Sequence, residues 1–79
     1  RKETTVRFTI KNDAPTNLSI YNIKGQKVKT LLSDKIDKGL HSLIWNGKNK
    51  FNHPVPSGVY FLHIKNGNYI KTAKFMVVK

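Results

Sequence analysis

A chain of 79 residues that is 38% hydrophobic, with four Phe, three Tyr and one Trp, holds enough apolar material for one layer between two sheets but not for a deep substrate pocket. The absence of cysteine excludes a disulfide framework, a thiolate metal site and a Cys nucleophile, and leaves the compartment open. Fifteen Lys plus Arg against four acids give a net charge of +11, a field that attracts anionic partners such as nucleic acid, acidic lipid or polysaccharide without choosing among them.

The first predicted element, Thr4 to Lys11, alternates strictly, with Val6, Phe8 and Ile10 on one face and Thr5, Arg7 and Thr9 on the other. That is the pattern of a half-buried antiparallel strand. Asn12 to Pro15 ends it. A second strand, Asn17 to Asn22, sends Leu18 and Ile20 inward and Ser19 and Tyr21 outward. Ile23-Lys24-Gly25 then closes a hairpin, with Gly25 supplying the positive φ of a three-residue loop. In the return strand, Gln26 to Leu32, Val28 and Leu31 are three apart, so burying both requires a bulge or a change of sheet.

Ser33 to Lys38 reads as a polar turn. Its Asp34 and Asp37 suggest a metal loop or acid/base work, but a hard cation wants about six oxygens and no further acid is near, which favours a solvated turn. Gly39 to Asn46 places His41, Leu43 and Trp45 on one face and Leu40, Ser42 and Ile44 on the other. Apolar residues on both faces predict a central or partly covered strand. Trp45 reads as the aromatic plug of the core, with a sugar-stacking platform as the alternative.

The loop Asn46 to Ser57 lacks a nucleophile, base and orienting acid in a workable arrangement. His41 and Ser42 are neighbours on a strand and point to opposite faces. His53 and Ser57 have no acid close in sequence. Neither pair is expected to catalyse anything, and no cofactor or metal is expected. Gly58 to Lys65 puts Tyr60, Leu62 and Ile64 on one face and Val59, Phe61 and His63 on the other. Asn66-Gly67 predicts a type I′ turn into a last strand, Tyr69 to Val78, whose inward set is Ala73, Phe75 and Val77.

Six or seven short strands with no helical period predict an all-β, immunoglobulin-like antiparallel sandwich as one domain over residues 1–79, with core residues Phe8, Leu18, Ile20, Trp45 and Leu62. A five-stranded barrel of the oligonucleotide-binding kind is the competing architecture. No apolar run reaches the roughly 20 residues that span a bilayer, so no membrane span is expected. The amino end carries no apolar signal segment. A start at Arg1, without Met and almost directly in a strand, points to the end fragment of a longer protein.

The succession Glu3 to Phe8, Leu18 to Val28, Gly39-Leu40-His41, Trp45-Asn46-Gly47, Pro54 to Phe61 and Lys74 to Lys79 resembles the C-terminal sorting domain, type A, of type IX secretion cargo, and is similar to the Ig-like domain of the flagellar hook-capping protein. The resemblance covers nearly the whole chain. It implies a Bacteroidetes-type passenger protein sent through periplasm and outer membrane to the surface or exterior, with the translocon and a sortase-like peptidase as partners and anionic lipopolysaccharide as an anchor. The family's Gly-x-Tyr strand falls on Gly58, Tyr60 and Ile64, and its terminal segment on Lys74, Phe75, Val77 and Lys79. Where the family often has Asp, Asp and Gly, this chain has Asn46, Asn49 and Asn52. The lost acids argue against a cation there, and Asn tolerates the left-handed conformation.

A tag of this kind needs an ordered exposed surface, and a terminal edge strand supplies one by pairing with a receptor strand. Lys71, Lys74 and Lys79 then serve charge complementarity, or else keep the edge from aggregating. A monomer or weak edge-strand dimer is expected. The competing function is an accessory binding module that uses Trp45, Tyr21 or Phe61 against glycan, or its lysines against polyanion. Nucleic acid is not an expected partner, because most aromatics fall on positions the core needs.

Overall fold

A computed structural model describes residues 3–78. It contains six strands and no helix: β1 Thr4–Ile10, β2 Pro15–Asn22, β3 Lys27–Lys35, β4 Gly39–Trp45, β5 Gly58–Asn66 and β6 Tyr69–Val77. They form two antiparallel sheets, a two-stranded β1-β4 and a four-stranded β3-β2-β5-β6, in the manner of a small Ig-like sandwich.

The core is what the alternation dictates. Val6, Phe8 and Ile10 from β1, Leu18 and Ile20 from β2, Trp45 from β4, Tyr60, Leu62 and Ile64 from β5 and Val77 from β6 are buried in one cluster. Trp45 meets Tyr60 and Phe75 edge-on, with ring centroids 5.8 and 6.0 Å away, the arrangement that aromatic quadrupoles prefer. The indole N–H donates to the Lys48 carbonyl at 2.9 Å. Trp45 is therefore the plug of the core, and with 1% of its surface exposed it offers no platform to a sugar.

Register shifts in the β2–β3 pairing fall between Leu18 and Ser19 and between Ile20 and Tyr21, leaving Leu31 and Val28 without a Cα partner. Each extra residue is an apolar one of the awkwardly spaced pair, so two bulges turn Val28 and Leu31 onto the core together. Downstream, the expected Ser33 to Lys38 turn is shorter. β3 runs on to Lys35, and Asp34 stands opposite Thr16 with its carboxylate accepting from the Lys35 N–H at 2.8 Å.

Three further readings change. β4 is not a covered central strand: among the described residues it pairs with β1 alone, and its outward Leu40 and Ile44 are 84% and 66% exposed. Ser19 faces away from the core but is fully buried, its hydroxyl donating to Asn17 Oδ1 at 2.8 Å. The last hairpin turns one residue later than Asn66-Gly67. Asn66 is paired with Tyr69, Gly67 and Asn68 form the loop, and only Gly67 has positive φ, at 62°. That is the signature of a type II′ turn rather than I′.

The displaced register has a cause in the interior. Asn66 is fully buried, and its side-chain oxygen accepts from the N–H groups of Lys11 and Asn12 at 3.2 and 2.9 Å. Its amide nitrogen donates to the carbonyls of Asn12 and Ala14 and to Thr16 Oγ1 at 3.0–3.2 Å. The Asn12 side chain returns a bond to the Asn66 carbonyl at 3.2 Å. One side chain thus meets four backbone polar groups of the β1–β2 turn as the chain crosses between sheets.

Candidate functional site

Two surfaces stand out: the open edge formed by β6, and a groove beside the loop that joins β4 to β5.

β6 pairs with β5 over nine consecutive positions, Gly58 with Val77 through Asn66 with Tyr69, without a register shift. Among the described residues, its other edge has no strand beside it. The opposite edge of the same sheet, β3, is unlike it: two bulges break its line, and the Val28 carbonyl is already taken by the Lys50 N–H at 3.0 Å. Of the two edges of the larger sheet, β6 is the regular one, and its backbone is the better template for an added strand.

The positions expected to carry recognition divide by face. Tyr60, Ile64 and Val77 are buried, Phe75 is half-buried against Trp45 and Tyr60, and Gly58 is half-buried at a φ of 155°. Their side chains hold the strand pair in place rather than meeting a partner. Lys74 is exposed, as are its neighbours Lys71, Thr72 and Met76. Lys79 lies outside the described residues. Burial pushes the Tyr60 phenol above its ordinary value of 10.0, so its O–H stays a donor, to the Pro56 carbonyl at 2.7 Å. That bond ties the end of the loop to β5.

On the outer face of the larger sheet, Tyr21 meets His63 edge-on at 5.9 Å, and His63 Nδ1 lies 3.3 Å from Thr72 Oγ1. With Phe61 and Ile23 they border a shallow depression of about 290 Å³.

The 46–57 loop is more ordered than a connector. Every backbone N–H from Lys48 to Val55 is bonded, Pro54 having none. Asn46 Oδ1 accepts from Lys48, and Asn49 Oδ1 accepts from both Phe51 and His53. The N–H groups of Asn49, Lys50, Asn52 and Val55 donate to the carbonyls of His53, Val28, Asn49 and Gly47. Asn52 is the one non-glycine residue with positive φ among the described residues, at 66°. The three asparagines thus do by hydrogen bonding and left-handed tolerance what Asp, Asp and Gly would do, without adding negative charge.

Between this loop and the β2–β3 turn lies an open groove of about 590 Å³, bordered by Ile23, Lys24, Lys27, Lys50, Phe51 and Pro54, with no acidic residue on its walls among the described residues. Lys50 Nζ sits 5.4 Å above the Phe51 ring. These residues were not singled out by sequence reasoning. The available signal was lysine placed beside exposed apolar residues in two segments 25 residues apart, which only the fold brings together.

Among the described residues, no group of three or more His, Asp and Glu could hold a metal ion, and no helix is long and apolar enough to cross a membrane. Asp34 and Asp37 are both exposed. Compared with protein families, residues 1–69 match the model described as the FlgD Ig-like domain. Comparison with curated proteins and with solved structures returned no match.

Proposed function

The chain belongs to the FlgD Ig-like domain family, and on that premise we propose that it is a non-catalytic sorting module, directing a passenger protein through the type IX secretion system to the cell surface or exterior. The observation that carries this reading is β6: a regular, unbulged edge with Lys71 and Lys74 exposed along it. Strand addition at this edge gives a receptor backbone hydrogen bonds, and the two ammonium groups select an acidic partner strand. The succession of residues shared with sorting domains supports the same reading. Under it, the translocon and a sortase-like peptidase are the partners, and lipopolysaccharide is the anionic anchor.

The test is export of a fused reporter. Deleting residues 75–79 should leave the passenger in the periplasm, but that deletion also removes buried Val77. The informative variant is therefore Lys71→Glu with Lys74→Glu, both at exposed positions, which should cut surface delivery by about tenfold without unfolding the domain. Undiminished export of both variants would sink the proposal.

The outer-face depression bordered by Tyr21, Phe61 and His63 favours a second reading, a glycan-binding accessory module. Glycan-array binding that is lost on Tyr21→Ala and Phe61→Ala would establish it instead.

A further inference from the structure

The groove between the β2–β3 turn and the 46–57 loop carries a feature that export alone does not use. Among the described residues, its walls present three ammonium groups, Lys24, Lys27 and Lys50, and no side-chain carboxylate. Beside them stand two of the most exposed large apolar side chains of the fold, Ile23 at 72% and Phe51 at 68%. The charge of the molecule is also unevenly placed. Asp13 lies in the β1–β2 turn, Asp34 stands opposite Thr16, and Asp37 precedes Gly39, whose partner is Ile10. Three of the four acids therefore cluster at the end of the sandwich opposite the groove. The fourth, Glu3, adjoins Thr4, whose partner is Trp45 at the groove's end, but it does not line the groove, and the field there is positive.

The chemistry of the walls narrows the partner. Since the loop's backbone N–H groups from Lys48 to Val55 are all bonded within the protein, a ligand finds its donors in side chains: the three ammonium groups, with neutral Asn22, Gln26, Asn49 and Ser57 among the apolar surface. The side-chain oxygens of Asn22, Gln26 and Asn49 already accept bonds within the turn and the loop, so the groove offers a neutral sugar fewer acceptors than it offers a carboxylate donors. Lys50 lying over the Phe51 ring places a positive charge and an apolar face within one side-chain length of each other. A polyanion with charge alone would leave Ile23, Phe51 and Pro54 uncovered. An apolar ligand would leave the lysines unpaired.

We infer that this groove docks an acidic segment of a partner protein in which an aromatic or aliphatic residue stands between carboxylates. The carboxylates meet Lys24, Lys27 and Lys50, and the apolar residue covers Phe51 and Ile23. The internally bonded loop needs no reordering to receive it, so little affinity is lost to immobilising the site. The inference does not depend on the route of export, and its test is independent of secretion.

The probe is a fluorescein-labelled seven-residue peptide, Asp-Glu-Trp-Asp-Glu-Phe-Asp, titrated by anisotropy in about 100 mM salt, where the screening length is about 10 Å. Three comparisons are made: the same peptide with Ser at both aromatic positions, a heparin fragment, and an oligothymidylate. Two protein variants of equal charge change complete the set, Lys24→Glu/Lys27→Glu/Lys50→Glu at the groove and Lys35→Glu/Lys38→Glu/Lys65→Glu away from it. All six substituted positions are exposed. Expected are a loss of about tenfold or more in affinity for the groove variant and for the Ser peptide, and less than about threefold for the distant variant. A Phe51→Ser variant, which keeps every lysine, should weaken the aromatic peptide and not the Ser peptide. Equal losses in both triple variants would reduce the effect to net charge and overturn the proposal. So would equal binding of the Ser peptide, or tighter groove-dependent binding of heparin or oligothymidylate.

Discussion

Asn66 satisfies polar groups along residues 11–16, between β1 and the start of β2, and a single substitution there tests how much of the fold depends on it. Asn66→Ala leaves the N–H groups of Lys11 and Asn12 without their acceptor, while the Thr16 hydroxyl keeps its bond to the Ala14 carbonyl. An unpaired buried group costs about 1–3 kcal/mol, so with two N–H groups orphaned the variant should lose about 2 kcal/mol or more in urea unfolding. Asn66→Asp should recover part of that, because its oxygens still accept from Lys11 and Asn12 while its donors are gone. Equal stability of Asn66→Ala and the parent would show that water replaces the side chain. None of this is legible from Asn66 in the sequence. An Asn before a Gly reads as a turn residue because local chemistry is all that adjacency reveals, and its partners lie 50–55 positions away. Trp45 is the opposite case. Its size alone predicts a core role, and the N–H bond to Lys48 adds only the detail of how the indole is satisfied.

At the level of elements, the terminal hairpin discriminates between turn types. Gly67 has a φ of 62°, and a methyl group there would come within 3.1 Å of the Ala14 side chain. Gly67→Ala should therefore destabilise by about 1–2 kcal/mol, through left-handed strain and crowding. Asn68 has no positive φ, so Asn68→Ala should stay within about 0.5 kcal/mol. A type I′ loop would penalise both, and comparing the two thermal midpoints separates the cases. Alternation made β1, β5 and β6 legible, since a period of two assigns each side chain to a face. The spacing of Val28 and Leu31 announced a bulge, because no regular strand buries both. β4 misleads because Leu40 and Ile44 look like a second buried face, while nothing in their own segment tells that the smaller sheet stops at two strands.

For the molecule as a whole, fifteen basic residues against four acids mean that compaction brings like charges together. Self-repulsion of this kind is screened by salt. Raising sodium chloride from about 20 to about 300 mM should therefore raise Tm by about 3–5 °C, within the range that a change of about 1 kcal/mol produces in a domain of this size. A fall in Tm would mean that ion pairs outweigh the repulsion. Net charge was plain in the sequence. Its direction was not, because the acids come together only when the β1–β2 turn, the end of β3 and the start of β4 are folded against one another. The same holds for the groove, whose lysines belong to two turns.

The Asn66 staple also has a consequence in time. β2–β3 and β5–β6 are hairpins that close through short turns, so each can form with little loss of chain entropy. β1 must wait for β4, and the amide of Asn66 must wait until the whole intervening chain is in place, since the segments it joins are more than fifty residues apart. Contacts that close so long a loop tend to be made after the folding barrier is crossed. Loss of the staple would then leave the speed of folding nearly unchanged and shorten the lifetime of the folded state, so that this asparagine governs how long the domain endures.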